Sequence, residues 1–333
     1  MLYIPYPEVK EQCTNILTSV GCTDTQAEHL AEIFVNNSLE GVYSHGLNRF
    51  PRFIHNIRDR YVDIHANPER ISGLGGLEVW DGHLGAGPLC AETCMDRAIE
   101  LSKSHGIGCV SIRNSNHWMR AGRYGWQAAN AGMIGMCWTN TLPNMPIWGA
   151  TDSRIGNNPI VIAVPRKNGN IVMDMSMSQF AYGKMEVAAL NNELMPFDAG
   201  YDEYDNLTRN PKEVLKSQRI MPTGYWKGSS MAMVLDLAAS AMSLGRTTAY
   251  IGKVGGEERG LTQVFIAINF RAIVDEAQAD SILNDSIEYT LASAPIEGVK
   301  IRYPGENVLS TKEKNMKHGV PINEKTWDII QNL

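Results

Sequence analysis

Ile160-Val161-Ile162-Ala163-Val164 and Ile171-Val172-Met173-Asp174-Met175, joined by a short segment that contains Gly169-Asn170, decide the fold class. Both five-residue runs are apolar and rich in β-branched side chains, which predicts two strands. A Gly-Asn turn between two such strands favours antiparallel pairing. We therefore expect a sheet that is not purely parallel.

Strand and helix patterns alternate on both sides of this hairpin, which indicates an α/β (α+β) chain. Before it, the patterns predict strands over 77–80, 107–112 and 134–139 and helices over 88–104 and 119–130. After it, they predict helices over 186–192, 231–244 and 275–291 and a strand over 262–268. The Gly-Gly-Glu-Glu-Arg-Gly segment 255–260 is predicted to be a mobile surface loop.

Helix patterns dominate the N-terminal part. Pro7-Glu8 begins an amphipathic segment that Gly21 ends, and Thr23 or Asp24 caps a second one. A third helix is predicted to run from the Ser-His-Gly stretch through Ile57, with a kink or restart at Pro51. We expect three segments: an N-terminal helical block (1–72), a mixed α/β core (73–295) and a C-terminal segment (296–333).

Composition excludes several function classes. The 333 residues carry a formal net charge of -6 and no Lys/Arg run, which argues against nucleic-acid binding. The longest apolar runs have the length of a strand, so no membrane span is expected. The N-terminus, with Pro5 and Pro7, has no apolar signal-peptide core, and we expect a cytoplasmic protein.

The six cysteines are scattered and are interpreted as buried thiols. Cys90 and Cys94 have helical spacing, but no second pair of metal-ligating residues accompanies them. We therefore predict that the protein binds no metal.

Ser44-His45-Gly46-Leu47-Asn48-Arg49 contains the first candidate for chemistry. On a helix, His45 and Arg49 would lie on one face, where one small molecule reaches both. Imidazole titrates near neutral pH and guanidinium grips carboxylates, so the pair suits an acid with a reactive oxygen beside its carboxylate. The alternative is an incidental pair on a solvated helix face.

No dinucleotide-binding glycine fingerprint of the Rossmann type is present, because 82–87 (Gly-His-Leu-Gly-Ala-Gly) has the wrong spacing. Lys227, before the predicted 231–244 helix, suits a phosphate site at a helix start, although Lys-Gly-Ser before a helix is more often an ordinary cap. Asp174 and Ser176 follow a strand, where ligand sites gather. Tryptophans and asparagines between 114 and 158 suit a polyhydroxylated ligand, and core tryptophans with turn asparagines are the alternative.

Five ordered motifs resemble those of the malate/L-lactate dehydrogenase-like oxidoreductases, a non-Rossmann NAD(P)-dependent family with the sulfolactate dehydrogenase-like fold. They cover essentially the whole chain and comprise 41–50 (Gly-Val-Tyr-Ser-His-Gly-Leu-Asn-Arg-Phe), 113–117 (Arg-Asn-Ser-Asn-His), 156–159 (Gly-Asn-Asn-Pro), 172–176 (Val-Met-Asp-Met-Ser) and Lys227-Gly228. The resemblance implies a mostly antiparallel mixed sheet with helices, a cofactor between domains, and a homodimer.

The resemblance also implies residue roles. His45 would be the proton donor, and Ser44, Arg49, Asn114 and His117 would contact the substrate. NAD(H) or NADP(H) would bind at three segments, the last of them from the C-terminal part of the chain: Asn170, Ile171, Val172, Met173, Asp174, Met175 and Ser176; Trp226 and Lys227; and Gly305, Glu306 and Asn307. Hydride transfer needs such a cofactor because no amino-acid side chain supplies it.

Finer details resemble one branch of the family, the reductases of 2,3-diketo-L-gulonate, which form 3-keto-L-gulonate by reduction at C2. These details are 116–120 (Asn-His-Trp-Met-Arg), Trp148-Gly149 and 224–228 (Gly-Tyr-Trp-Lys-Gly). His117-Trp118-Met119 replaces the commoner His-Phe-Gly, and Ser176-Met177 replaces Ala-Thr, so a simple malate or lactate assignment is disfavoured. The alternatives are a malate, lactate, ureidoglycolate or cyclic-imine dehydrogenase, a sugar-acid lyase or isomerase without nicotinamide, and a non-catalytic sugar-acid sensor.

Overall fold

The computed structural model describes all 333 residues, in thirteen strands, twelve α-helices and three short 3-10 turns. The strands are β1 (Leu2–Ile4), β2 (Glu69–Leu74), β3 (Leu77–Asp81), β4 (Ile107–Asn116), β5 (Ile134–Thr139), β6 (Met145–Pro146), β7 (Ser153–Ile155), β8 (Ile160–Val164), β9 (Ile171–Met175), β10 (Gly200–Tyr201), β11 (Leu207–Thr208), β12 (Arg259–Ile268) and β13 (Val320–Ile322). The helices are α1 (Tyr6–Ser19), α2 (Asp24–Leu39), α3 (Phe50–Arg58), α4 (Gly87–His105), α5 (Gly122–Asn130), α6 (Tyr182–Leu190), α7 (Pro211–Ser217), α8 (Trp226–Ser243), α9 (Thr248–Val254), α10 (Glu276–Leu291), α11 (Glu306–His318) and α12 (Glu324–Gln331). The 3-10 turns are Tyr43–His45, Leu47–Arg49 and Phe270–Ala272.

Seven strands form the main sheet, in the order β2-β3-β4-β12-β5-β8-β9. Only β3 and β4 run parallel, and every other neighbouring pair is antiparallel. The predicted hairpin has the expected ends and pairs Ile160 with Met175. The mostly antiparallel mixed sheet is therefore confirmed, and β9 lies at its edge.

Apolar side chains on both faces of β12 explain how both faces of the sheet are covered. Phe265 and Ala267 pack in one apolar cluster with residues of α4 and α5, whereas Val264 and Ile266 pack with residues of α8 on the opposite face. Side chains of successive strand residues point to opposite faces, so one strand contributes to both layers. The sheet is thus held between two helical layers.

The N-terminal helices build a separate apolar cluster. Thr23 caps α2 in a capping box with Gln26, as its position predicts. Phe34 of α2 packs edge-on against Phe50 of α3 with ring centroids 5.2 Å apart. Strand β13 near the C-terminus pairs with β1, and Trp327 joins the same cluster. The division at 72 and 295 stays a prediction.

The third N-terminal helix was predicted too early in the chain. Two 3-10 turns occupy 43–49, separated by Gly46 at φ -106° and ψ -132°, so His45 and Arg49 do not share an α-helical face. The reason is tertiary contact: the His45 carbonyl and the Leu47 amide bond to side chains of α2 instead of to a helical turn. The chain approaches α2 so closely that a Cβ at Gly46 would collide with the Ser38 hydroxyl. The restart at Pro51 is confirmed, because α3 begins at Phe50 with the proline in its first turn.

The first residues of two other helices also differ from the prediction. Helix α5 begins at Gly122 rather than at 119, and α8 begins at Trp226, five positions before the predicted start at 231. No helix has the length and apolar character needed to cross a bilayer. No cluster of three or more His, Cys, Asp or Glu side chains is arranged to hold a metal ion.

Candidate active site

The first 3-10 turn fixes the catalytic candidate His45. Asn37 of α2 donates a 2.9 Å hydrogen bond to the His45 carbonyl, and the Leu47 amide donates to the Ser38 hydroxyl at 2.9 Å. The hydroxyl of Ser44 lies 3.0 Å from His45 Nδ1. With Nδ1 engaged, the Nε2 atom is the one left to exchange a proton with a ligand.

His117 lies against His45. The two rings are nearly parallel, with an interplanar angle of 10° and centroids 5.6 Å apart. The Met119 amide donates to His117 Nδ1 at 3.0 Å, which makes Nδ1 an acceptor and puts the proton of the neutral ring on Nε2. The structure therefore brings together two of the predicted residues that lie far apart in the sequence.

Both imidazoles are held neutral at physiological pH. Burial, followed by the positive charges of Arg49 and Arg120, lowers the pKa of His45 to about 4. Burial also places the pKa of His117 well below its ordinary value, with Arg49 and His45 adding to the effect. An anion bound at Arg49 would offset one of these charges and so favour protonation of His45.

Glu258 completes this group and was missed in the sequence. Its Oε2 lies 3.7 Å from Arg49 Nη2 and 3.9 Å from His117 Nε2, and its Oε1 accepts a long bond of 3.4 Å from the Leu142 amide. Burial raises the pKa of Glu258, and Arg49 opposes that shift. The segment 255–260 thus places the Glu258 carboxylate next to Arg49 and His117. The interpretation of this segment as only a surface loop is wrong.

Arg120 links the histidines to the predicted cofactor strand. It forms an ion pair with Glu40, which Lys312 of α11 also contacts, and its Nε has no hydrogen-bond partner although it is buried. Its charge lowers the pKa of His45 and acts in the same direction on Asp174. The only sequence signal for Arg120 is its place at the end of the 116–120 motif.

Asp174 stands on the edge strand β9 and faces the start of α5. The Gly122 amide donates to Asp174 Oδ2 at 2.7 Å. The side chain is open to solvent on one side, yet protein surrounds it closely enough that burial raises its pKa. A perturbed carboxyl that a ligand can still reach is a candidate for a functional site.

The C-terminal segment lies against the edge strand β9. The Val172 amide donates to the Pro304 carbonyl at 3.0 Å. A Cβ added at Gly305 would lie 3.2 Å from the Val172 nitrogen and 3.3 Å from Trp126 Cζ2, and Gly305 has a φ of 94°. In a strand, the backbone N–H and C=O groups of every second residue point to the same side. Those of Asp174 therefore point to the same outer edge of β9 as those of Val172.

Two buried polar atoms beside this edge have no hydrogen-bond partner, Nε1 of Trp126 and Oε2 of Glu306. Buried polar groups are usually paired, so unpaired ones need an explanation. A ligand with many hydrogen-bonding groups, such as a dinucleotide, fits the part of this edge around Asp174, which pairs with no further strand and is flanked by such atoms. The Asn170 side chain is already bound to the Arg166 amide and to Asn130.

The start of α8 lies next to the end of β9, because the Thr223 amide donates to the Met177 carbonyl at 2.8 Å. Trp226 is exposed, and Lys227 is exposed without any ion pair. The amides of Lys227 and Gly228 donate to turn carbonyls, so the free amides predicted to hold a phosphate are largely occupied. The Lys227 ammonium remains available for an anion.

Asn114 is not brought together with His45 or Arg49. Its amide nitrogen donates to both carboxylate oxygens of Asp81, at 2.9 and 3.1 Å. Trp118 and Trp138 are core residues, which favours the structural interpretation for them. Trp148 stays partly exposed and packs on Tyr225 with ring centroids 4.8 Å apart.

Ser44, His45, Arg49, His117 and Glu258 therefore form one polar group beside a strand edge. A guanidinium with free donors can hold a carboxylate, and an imidazole can deliver a proton to an adjacent oxygen. The strand edge offers backbone groups for a flat heteroaromatic ligand.

Comparisons with known proteins agree with this arrangement. The family model described as malate/L-lactate dehydrogenase matches residues 4–331. The 2,3-diketo-L-gulonate reductases of Citrobacter koseri and Klebsiella pneumoniae are each 42% identical over 331 residues, which covers 99% of this chain and 99% of each relative.

Solved structures are similar over almost the whole chain. The sulfolactate dehydrogenase of Methanocaldococcus jannaschii has a TM-score of 0.89 and 27% identity, covering 99% of this chain and 95% of that one. The malate dehydrogenase of Pyrococcus horikoshii has a TM-score of 0.86 and 26% identity, covering 98% and 93%.

Proposed function

Because the chain belongs to the malate/L-lactate dehydrogenase family, we propose that it reduces 2,3-diketo-L-gulonate at C2 to give 3-keto-L-gulonate. Membership makes it a nicotinamide-dependent oxidoreductase, and the substrate is suggested by the 42% identity to reductases named for that sugar acid. The observation that carries the proposal is the group of His45, Arg49 and His117. The short segment 117–122 connects this group to the edge strand β9, because its Gly122 amide bonds to Asp174.

The cofactor in this proposal is NADH or NADPH. Its binding surface would consist of the edge strand residues 170–176, Trp226 with Lys227, and residues 305–307. The Lys227 ammonium suits a phosphate oxygen. Backbone groups of β9 suit the carboxamide, and Gly305 keeps the surface open where a side chain would fill it. When bound, the reduced nicotinamide supplies the hydride.

Arg49 would hold the substrate carboxylate, since its guanidinium has no hydrogen bond of its own within the protein. The bound carboxylate offsets the charge that disfavours imidazolium, and His45 then carries a proton at Nε2. His45 donates this proton to the C2 oxygen as negative charge develops there. His117 and Ser44 keep the His45 ring in place on its two sides.

The proposal includes a homodimer. Helix α8 leaves Met231, Val234 and Leu237 about half exposed on one face, although its other side packs on the sheet. An exposed apolar stripe of this kind is typical of a protein interface.

We also propose a cytoplasmic location, where the reduced dinucleotide is replenished.

A substrate panel tests the proposal. Oxidation of NADH and NADPH is followed with 2,3-diketo-L-gulonate, pyruvate, oxaloacetate and further 2-oxo acids. We expect the highest kcat/KM with 2,3-diketo-L-gulonate. A higher value with oxaloacetate or pyruvate would reassign the substrate, and no oxidation with any acid, together with no fluorescence change on adding NADH, would indicate a lyase, an isomerase or a sensor instead.

A further inference from the structure

We propose that Glu258 is a positioning residue that holds Arg49 and His117 in the orientation that receives the substrate carboxylate. The inference rests on the proposed function and goes beyond it by assigning a role to the 255–260 loop. Two consecutive glutamates of this loop face two arginines, one at the end of the second 3-10 turn and one in the first turn of α3. Glu257 binds Arg52 and Glu258 faces Arg49.

Glu258 is the only protein group that anchors the working atoms of both residues. The Arg49 guanidinium makes one ion pair, to Glu258 at 3.7 Å, and no protein hydrogen bond. The Nε2–H of His117 has the same carboxylate as its nearest acid, at 3.9 Å, because Nδ1 is occupied by the Met119 amide. The Leu142 amide holds the carboxylate from behind.

Both distances are longer than hydrogen bonds, and this suits a positioning role. A tight two-point pair would use the donors of Arg49 that the substrate needs. At 3.7 Å the charges still attract strongly, because Glu258 is only 10% exposed and solvent screens the pair little. Glu258 therefore orients Arg49 and leaves its hydrogen bonds free.

Removing the Glu258 charge would let Arg49 turn away. The other carboxylates that act on Arg49 are Glu257 and Glu186. Glu257 belongs to the ion pair with Arg52, which is more exposed to solvent than Glu258. Glu257 would therefore draw the Arg49 guanidinium towards solvent. A displacement of about 1 Å in a positioning group is enough to cost roughly a hundredfold in rate.

The test compares an acid with its uncharged analogue. kcat/KM is measured for the best 2-oxo acid of the panel and for the methyl ester of the same acid. In Glu258→Gln we expect the acid-to-ester preference to fall at least about tenfold, because only the acid uses the Arg49 grip. In an Arg49→Ala background the same substitution should change the preference less than about twofold, because the two residues act as a unit.

Glu257→Gln is the matched control and should change the preference less than about twofold, since Glu257 pairs with Arg52 and that pair is more exposed than Glu258. An unchanged or higher preference in Glu258→Gln would overturn the inference, as would an equal loss for acid and ester, which indicates a structural role. Glu258→Asp, which keeps the charge, should give an intermediate preference and serves as the second variant if Glu258→Gln does not fold. A wild-type protein without turnover overturns the proposed function, and this inference with it.

Discussion

The candidate site has two sides, or walls, that are built on different principles. On the wall of the 3-10 turns, the proposed function assigns the chemistry to side chains: His45 stacks on His117, and Arg49 faces a carboxylate. On the wall of β9, the proposed surface is backbone: the strand has no partner strand on its outer side, and Gly305 approaches it where a Cβ would be crowded. The first wall depends on charge and protonation, and the second depends on shape.

This difference predicts that the walls fail in different ways. Loss of a functional side chain from the first wall should abolish chemistry and spare nucleotide binding. Bulk added to the second wall should weaken nucleotide binding and leave the histidine pair intact. Variants on each wall can therefore test whether the division of labour is real.

The largest effect is expected from His45→Ala. Without the imidazole, water must protonate the substrate oxygen, and general acid catalysis of this kind contributes roughly 10²–10⁴-fold in rate. We expect kcat to fall by about that factor while the dissociation constant of NADH, measured by fluorescence, changes less than about twofold. The kinetics are measured at substrate saturation, so that weaker substrate binding does not contribute.

His55→Ala is the control for this variant. His55 is an exposed histidine on the neighbouring helix α3, so its loss should leave kcat unchanged. Turnover of His45→Ala close to that of His55→Ala would remove His45 from the role of proton donor.

An intermediate effect is expected on the second wall from Gly305→Val. The new side chain would begin 3.2 Å from the Val172 nitrogen and push residues 304–307 away from the edge strand. We expect the dissociation constant of NADH to rise about tenfold or more, which corresponds to about 1.4 kcal/mol. The ring signals of His45 in NMR should stay where they are in the wild type.

Gly298→Val separates this steric effect from backbone strain. Gly298 also has a positive φ, 77°, but a Cβ there meets nothing within 4 Å. Both variants pay the conformational cost of a β-branched residue in this region. Equal loss of NADH binding in the two would contradict the assignment of Gly305 to the cofactor surface.

The second wall was the easier one to predict from sequence. The hairpin 160–164 and 171–175 has the expected ends because its pattern and its turn are local. The association of 305–307 with β9 followed from the family resemblance rather than from any local pattern. The start of α8 was missed because Gly224 and Tyr225 adopt positive φ and allow the helix to begin at Trp226.

The first wall depends on contacts that no local pattern encodes. The predicted helix is interrupted at Gly46 because the backbone groups on either side of it bond to side chains of α2. Glu258 looked like part of a charged surface loop, and its burial follows only from the pairing of β12 with β4, which brings Arg259 opposite Asn116 next to His117. The pKa values of the histidines are likewise set by charges from distant segments, Arg49 and Arg120.

The smallest expected effect is on stability and distinguishes the walls by its sign. The folded pKa of His45 is about 4 against an ordinary value of 6.5, so between these values the unfolded chain binds more protons. The free energy of unfolding therefore falls as the pH drops through this window, by about 1 kcal/mol at roughly pH 5.5. Asp174 acts in the opposite direction, because its raised pKa adds stability as the pH falls.

Urea unfolding of the wild type, His45→Gln and Asp174→Asn across this pH range measures both effects. We expect His45→Gln to lose less stability in acid than the wild type and Asp174→Asn to lose more. The same pH profile for all three proteins would contradict the opposite pKa shifts assigned to these two groups.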